Sequence, residues 1–180
     1  MKIGIDISQT IYHGGVGEYL THLVEKLIEK DQKNEYILFG SSLRGGDKFI
    51  KWQNHFKDHP NVKLKIFSFP PTVLDFIWNT LHILPIEYLI GDVDIFVTSD
   101  WTEPPTKGAK KVTILYDLIV YKYPEETDSG IVVTQKRKLN WVKKETDTII
   151  CISESTKKDA IEILGLPEDK LKVVYPGFTL

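Results

Sequence analysis

Short, dense apolar runs alternate along this chain with segments whose apolar residues recur at helical spacing. The first run, residues 2–7, is apolar at Ile3, Ile5 and Ile7 and predicts a strand. Residues 17–30 pair Tyr19 with Leu20, Leu23 with Val24 and Leu27 with Ile28, the stripe of an amphipathic helix. A second strand is expected at 35–40, a weaker helix at 47–57 and a third strand at 62–68. Residues 73–88 read as a helix interrupted near Pro85. Strands follow at 93–98, 111–116 and 147–152, each rich in β-branched residues. A helix at 153–164 stops at Gly165 and Pro167, and a last strand is expected at 171–175.

The later strands are continuous apolar runs, such as Val112-Thr113-Ile114-Leu115, rather than alternating ones. Strands buried on both faces of a parallel sheet have this character. Together with the strand–helix alternation it predicts an α/β fold, a doubly wound, mostly parallel Rossmann-like sheet of roughly six to seven strands. At 180 residues the chain is about one domain, long enough to fold without staples. Its 42% hydrophobic content excludes a disordered protein, and 23 basic against 25 acidic residues disfavour a strongly basic nucleic-acid binder. The single cysteine, Cys151, excludes an internal disulfide and a cysteine-only zinc site; in its apolar strand it reads as an inert core residue. The start, Met1-Lys2-Ile3-Gly4-Ile5-Asp6, is too short and too soon charged for a signal peptide, so a cytoplasmic location is expected. Residues 73–91 are the most hydrophobic segment, but Asp75, Asn79, His82, Pro85 and Glu87 break it, which argues against a transmembrane helix.

In open α/β sheets ligands bind at the carboxyl ends of the strands, and that rule selects four loops. The first contains His13-Gly14-Gly15-Val16-Gly17, glycines that either make a turn or let backbone approach a phosphate at the following helix N-terminus. The spacing is wrong for a dinucleotide fingerprint: Leu20 stands where a third glycine belongs, and no acidic residue ends the second strand. The second loop carries Tyr116-Asp117-Leu118, where Asp117 either caps the loop or meets a substrate hydroxyl. The third begins at Ser153, either a helix N-cap or a cleft-facing hydroxyl. The fourth is Ser99-Asp100-Trp101-Thr102-Glu103-Pro104-Pro105, where Trp101 packs against the domain or stacks on a sugar ring. His55 and His59 have a metal-like spacing beside Asp58, but Pro60 ends the helix and no third ligand is evident, so no metal site is expected. Lys136, Arg137, Lys138, Lys143 and Lys144 read as an exposed helix face, with contact to anionic lipid as the alternative.

In their order and spacing these segments resemble the N-terminal domain of a retaining GT-B glycosyltransferase of family 4 type. The resemblance rests on residues 2–6, Gly14-Gly15-Val16-Gly17-Glu18-Tyr19, Ile77-Trp78, Leu84-Pro85, Asp92-Val93-Asp94-Ile95-Phe96, Tyr116-Asp117-Leu118 with Tyr123-Pro124, residues 150–159, and Lys172-Val173-Val174-Tyr175-Pro176-Gly177. It implies an acceptor-binding domain, residues 1–175, with residues 176–180 opening a linker to a donor-binding domain that these residues do not contain. It implies transfer of a sugar from a nucleotide-diphosphate sugar to a hydroxyl acceptor, a glycan or a lipid-linked one, with retention of configuration and no other cofactor. It places Gly14, Gly15, Gly17 and Ser153 near the donor diphosphate and cleft, Asp117 near the reacting sugar, and His13, Trp101 and Tyr116 on the acceptor side; Asp6 matches an Asp of unassigned role. Tyr116 departs from the pattern, which often has His there; a phenol with a pKa of ~10 is a poor base. Peripheral contact with the inner face of a membrane fits the same reading, and nucleic acid is not an expected partner. The alternatives are a free-standing glycan- or partner-binding module and a nucleotide-dependent oxidoreductase or flavodoxin-like protein.

Overall fold

A computed structural model describes residues 1–177. Its strands are β1 (Lys2–Asp6), β2 (Glu35–Ser41), β3 (Val62–Phe67), β4 (Ile95–Thr98), β5 (Lys110–Leu115), β6 (Thr148–Cys151) and β7 (Leu171–Val173). Among the described residues these form one sheet in the order β3-β2-β1-β4-β5-β6-β7, and every neighbouring pair is parallel. In the centre Ile3 lies opposite Tyr36 and Ile95, and Ile5 opposite Leu38 and Val97. The strand order reverses between β1 and β4, which makes their carboxyl ends the switch point of a doubly wound α/β fold. Tyr36 to Ser41 are buried without a break, the two-faced burial behind the continuous apolar run.

Helices α1 (Gly15–Lys30) and α2 (Ile50–His55) cover one face: Leu20, Val24, Ile28, Trp52 and Phe56 pack on Ile3, Ile5 and Leu38. Helix α3 (Pro71–Leu74), a π-helical turn Asp75–Thr80 and α4 (Glu87–Ile90) cover the other, where Leu74, Trp78, Ile86 and Ile90 meet Ile37, Phe39 and Phe96. Helices α5 (Ile119–Lys122), α6 (Ser129–Glu145) and α7 (Glu154–Leu164) complete the layers; Leu139, Val142, Ala160 and Leu164 pack on Leu115, Ile149 and Cys151.

Four expectations are corrected. Residues 47–57 form a 3-10 turn, Gly46–Phe49, followed by the short α2. The segment 73–88 breaks at Thr80, well before Pro85, and its middle is π-helical. The break is set by distant contacts: the Trp78 indole N–H donates to Leu84 O at 2.9 Å, and the His82 ring stacks on Trp141 at 3.6 Å, with His82 and Leu84 at positive φ. Lys138, read as part of an exposed face, is only 2% exposed. The last strand ends at Val173, although Val174 N still donates to Cys151 O. Of the proposed linker, Pro176 and Gly177 are exposed, and Phe178, Thr179 and Leu180 lie outside the described residues. Among the described residues no helix is long and apolar enough to cross a membrane.

Candidate functional site

The loop from β1 to α1 is shaped by its own backbone. A 3-10 turn, Ser8–Ile11, leaves the strand, held by Thr10 Oγ1 donating to Ile7 O and by the Trp52 indole N–H donating to Thr10 Oγ1 at 2.8 Å. Gly14 then caps α1 at φ +134°, a conformation that side chains rarely adopt. Gly17 is constrained differently: a Cβ there would stand 2.7 Å from Tyr12 O and 2.9 Å from Gln9 O. Gly15 faces open space. The cap has no side-chain acceptor, and the N–H groups of Gly15, Val16 and Gly17 have no hydrogen-bond partner among the described residues. They form a compact set of donors at the positive end of a sixteen-residue helix.

Two clefts share this helix end. The first, about 570 Å³ and mostly apolar, is lined by His13, Gly14, Gly15, Gly17, Asp75, Asp100 and Trp101, with Pro71 and Thr72 opposite. The second, about 670 Å³, runs from Gly15 and Glu18 past Tyr19 and His22 to Tyr116, Asp117 and the stretch Tyr175, Pro176, Gly177. The Tyr19 hydroxyl donates to Val174 O at 3.0 Å, which ties the chain leaving β7 to the wall of that cleft.

The residues singled out in the sequence therefore separate. His13, Gly14, Gly15, Gly17 and Trp101 come together in the first cleft, and Gly15, Tyr116 and Asp117 in the second. Asp117 is exposed, and its Oδ1 also accepts from Ile119 N at 3.0 Å. Tyr116 is buried, its hydroxyl 3.0 Å from Ser99 Oγ and its ring edge-on to Tyr19; burial pushes the phenol above its ordinary range, reinforced by Asp100 and Asp6. Ser153 lines neither cleft: its Oγ accepts from Thr156 N at 3.0 Å and caps α7. His55 and His59 pack edge-on against Phe56, and among the described residues no group of three or more His, Cys, Asp or Glu could hold a metal ion. Cys151 is buried, and burial pushes its thiol up to about 11.

A buried polar layer joins Asp6, which the sequence had singled out without a role, to Glu103, Lys111 and Lys138, whose burial it did not show. Glu103 is fully buried and accepts from Thr98 and Thr113 hydroxyls at 2.7 and 3.1 Å, while Lys111 Nζ stands 3.2 Å from it and 3.0 Å from Glu145. Lys138 Nζ donates to Ser99 O; burial lowers its pKa, against the opposing charges of Glu103, Asp100 and Asp6. Asp6 ends β1 with Oδ1 accepting from Ser8 N at 2.8 Å, and burial raises its pKa. Glu103 had no signal beyond its place in a proline-flanked loop; Lys138 was hidden in a basic run.

The sequence model described as Glycosyltransferase Family 4 matches residues 13–180, beginning at the His that opens the glycine loop. The chain belongs to glycosyltransferase family 4. No curated protein matches it. As a family 4 domain it takes part in sugar transfer, with sugar donor and acceptor as its substrates in general terms. The glycine loop and α1 are the elements that divide the two clefts.

Proposed function

We propose that this family 4 domain is the acceptor-side half of an enzyme that moves a sugar from a nucleotide-diphosphate sugar to a hydroxyl acceptor, a glycan or a lipid-linked one, with retention of configuration. The observation that carries the reading is the α1 N-terminus, whose three unpartnered N–H groups stand between the two clefts. In this reading the second cleft takes the donor. The N–H groups of Gly15, Val16 and Gly17 meet the diphosphate, and they gain strength as it leaves and its charge grows. Asp117 accepts from a hydroxyl of the transferring sugar and fixes its ring over the phosphates. His13 and Trp101 border the first cleft, where the acceptor hydroxyl enters. A second domain, joined through the stretch that begins at Pro176, supplies the rest of the donor contacts.

The test is turnover in the enzyme carrying Asp117→Asn. Loss of one charge-assisted hydrogen bond made to the reacting sugar should lower kcat about 100-fold, with circular dichroism unchanged. Unchanged turnover would remove Asp117 from the site.

A further inference from the structure

We propose that Asp100 is the acceptor-binding carboxylate of this domain, one oxygen taking the hydrogen bond of a neutral sugar hydroxyl that enters the first cleft beside His13 and Trp101. The proposal rests on the glycosyltransferase reading above and adds the residue and the ligand class.

Asp100 lines the first cleft and also a smaller, third one that contains Lys138 together with Tyr116 and Asp117, two residues that also line the second cleft. Its Oδ1 accepts from Gln135 Nε2 at 3.1 Å, and the same amide nitrogen donates to Asp100 O at 3.0 Å. Oδ2 has no hydrogen-bond partner among the described residues. The carboxylate is thus oriented by one oxygen and offers the other. The loop beneath it is fastened from three directions: Lys138 Nζ donates to Ser99 O, the Tyr116 hydroxyl meets Ser99 Oγ, and Asn79 Nδ2 donates to Trp101 O at 2.8 Å. Such support holds a polar group ready without reorganisation when ligand arrives.

The neighbouring groups narrow the ligand. Tyr116 is turned into the core and spends its hydroxyl on Ser99, so it leaves the hydroxyl-binding role to Asp100. Asp75 shares the cleft but is paired with Arg137 at 3.5 Å, so it is the unpaired oxygen of Asp100 that disfavours an anionic acceptor. An ionised carboxylate only accepts hydrogen bonds, which suits a hydroxyl donor. Trp101 offers an aromatic surface beside it for a sugar ring. Burial raises the Asp100 pKa, Lys138 from α6 favours its ionised form, and Asp117 after β5 opposes it; His13 and the Arg137-paired Asp75 line the same cleft.

The test uses the isotope-labelled chain and three neutral probes: methyl α-D-glucopyranoside, methyl α-D-mannopyranoside and methyl β-D-galactopyranoside. At least one should shift the Trp101 indole and the Gly14 and Gly15 amide signals saturably. Asp100→Asn should weaken that binding about tenfold, the loss expected for one charge-assisted hydrogen bond, while the remaining spectrum is retained. Gln135→Ala, which frees Oδ1, should weaken it in the same direction and serves if the first variant does not fold. Wild-type affinity should fall as pH is lowered and the carboxylate is protonated, a dependence that Asp100→Asn should lack although His13, Asp75, Lys138 and Asp117 remain. Asp92→Asn, at the opposite ends of the strands, should match wild type. Glycoside binding in the first cleft with the affinity and pH dependence unaltered by Asp100→Asn overturns the proposal and leaves the glycosyltransferase reading standing. Binding that maps only to Tyr19, His22 and Tyr175, or none by any probe, overturns it as well, and the Asp117→Asn turnover then judges the wider reading separately.

Discussion

Gly17→Ala places a methyl group against backbone that cannot move aside cheaply. Its carbon would stand 2.7 Å from Tyr12 O and 2.9 Å from Gln9 O. Ordinary carbon–oxygen contacts lie at about 3.3–3.6 Å, so the loop must retreat by roughly half an ångström. It is braced against that movement by Tyr12 N donating to Gln9 O and by Trp52 holding Thr10. Overpacking of this kind costs about 1–3 kcal/mol, and the better helix propensity of alanine returns at most about 1 kcal/mol. The net loss is about 1–2 kcal/mol, a fall in Tm of about 3–6 °C for a chain of this size. Gly15→Ala is the matched comparison, because nothing lies within 4 Å of its Cβ position. Its stability should stay within about 0.5 kcal/mol of wild type, while the added methyl intrudes on the clefts. Urea unfolding followed by circular dichroism at 222 nm measures both. Gly17→Ala as stable as wild type, or Gly15→Ala as damaging as Gly17→Ala, would refute the view that one glycine serves packing and the other the cleft.

Three further outcomes follow from the polar layer and the thiol. Lys138→Met leaves Asp6, Asp100 and Glu103 without their shared buried cation and should cost about 3 kcal/mol in urea unfolding; a neutral or stabilising effect would contradict that role. Asp6 has a folded-state pKa raised by burial, so the stability contributed by its protonated form is present below the ordinary Asp value of ~3.9 and lost as pH rises through the raised one. Asp6→Asn should therefore gain stability relative to wild type as pH rises from acid towards neutrality, and a difference independent of pH would be inconsistent with this. Cys151, buried and raised to about 11, should react with iodoacetamide about 100-fold more slowly in the native chain than in urea, and equal rates would show the thiol to be accessible.

The sheet was legible because its strands carry their burial in the sequence. The continuous runs Tyr36 to Phe39 and Val112 to Leu115 announce strands covered on both sides, and local alternation with α1 and α7 orders them. The segment after Pro71 was not legible in detail, because the stop at Thr80 depends on Trp78 reaching Leu84 and on His82 stacking against Trp141, 59 residues further along the chain. Lys138 shows the same limit in electrostatic form. A lysine in a basic run reads as solvated, and only its distant partners, Ser99 O with the charges of Glu103, Asp100 and Asp6, make burial tolerable. In the site, the glycine loop and Asp117 stood out by position at strand ends. The division of labour among the glycines did not, since it depends on which backbone atoms each Cβ would meet. Asp100 lay in a loop recognised for Trp101, and its anchoring by Gln135 comes from α6.

The central claim is that the α1 N-terminus of this family 4 domain faces the diphosphate of a sugar donor. Titration of UDP, GDP and ADP into the labelled chain, with NAD and FMN in parallel, tests it most directly through the amide signals of Gly15, Val16 and Gly17. The account predicts shifts at these three amides with the nucleoside diphosphates, saturating weakly at about millimolar concentration, and no comparable response to FMN. Micromolar binding of NAD or FMN on the same amides would contradict it.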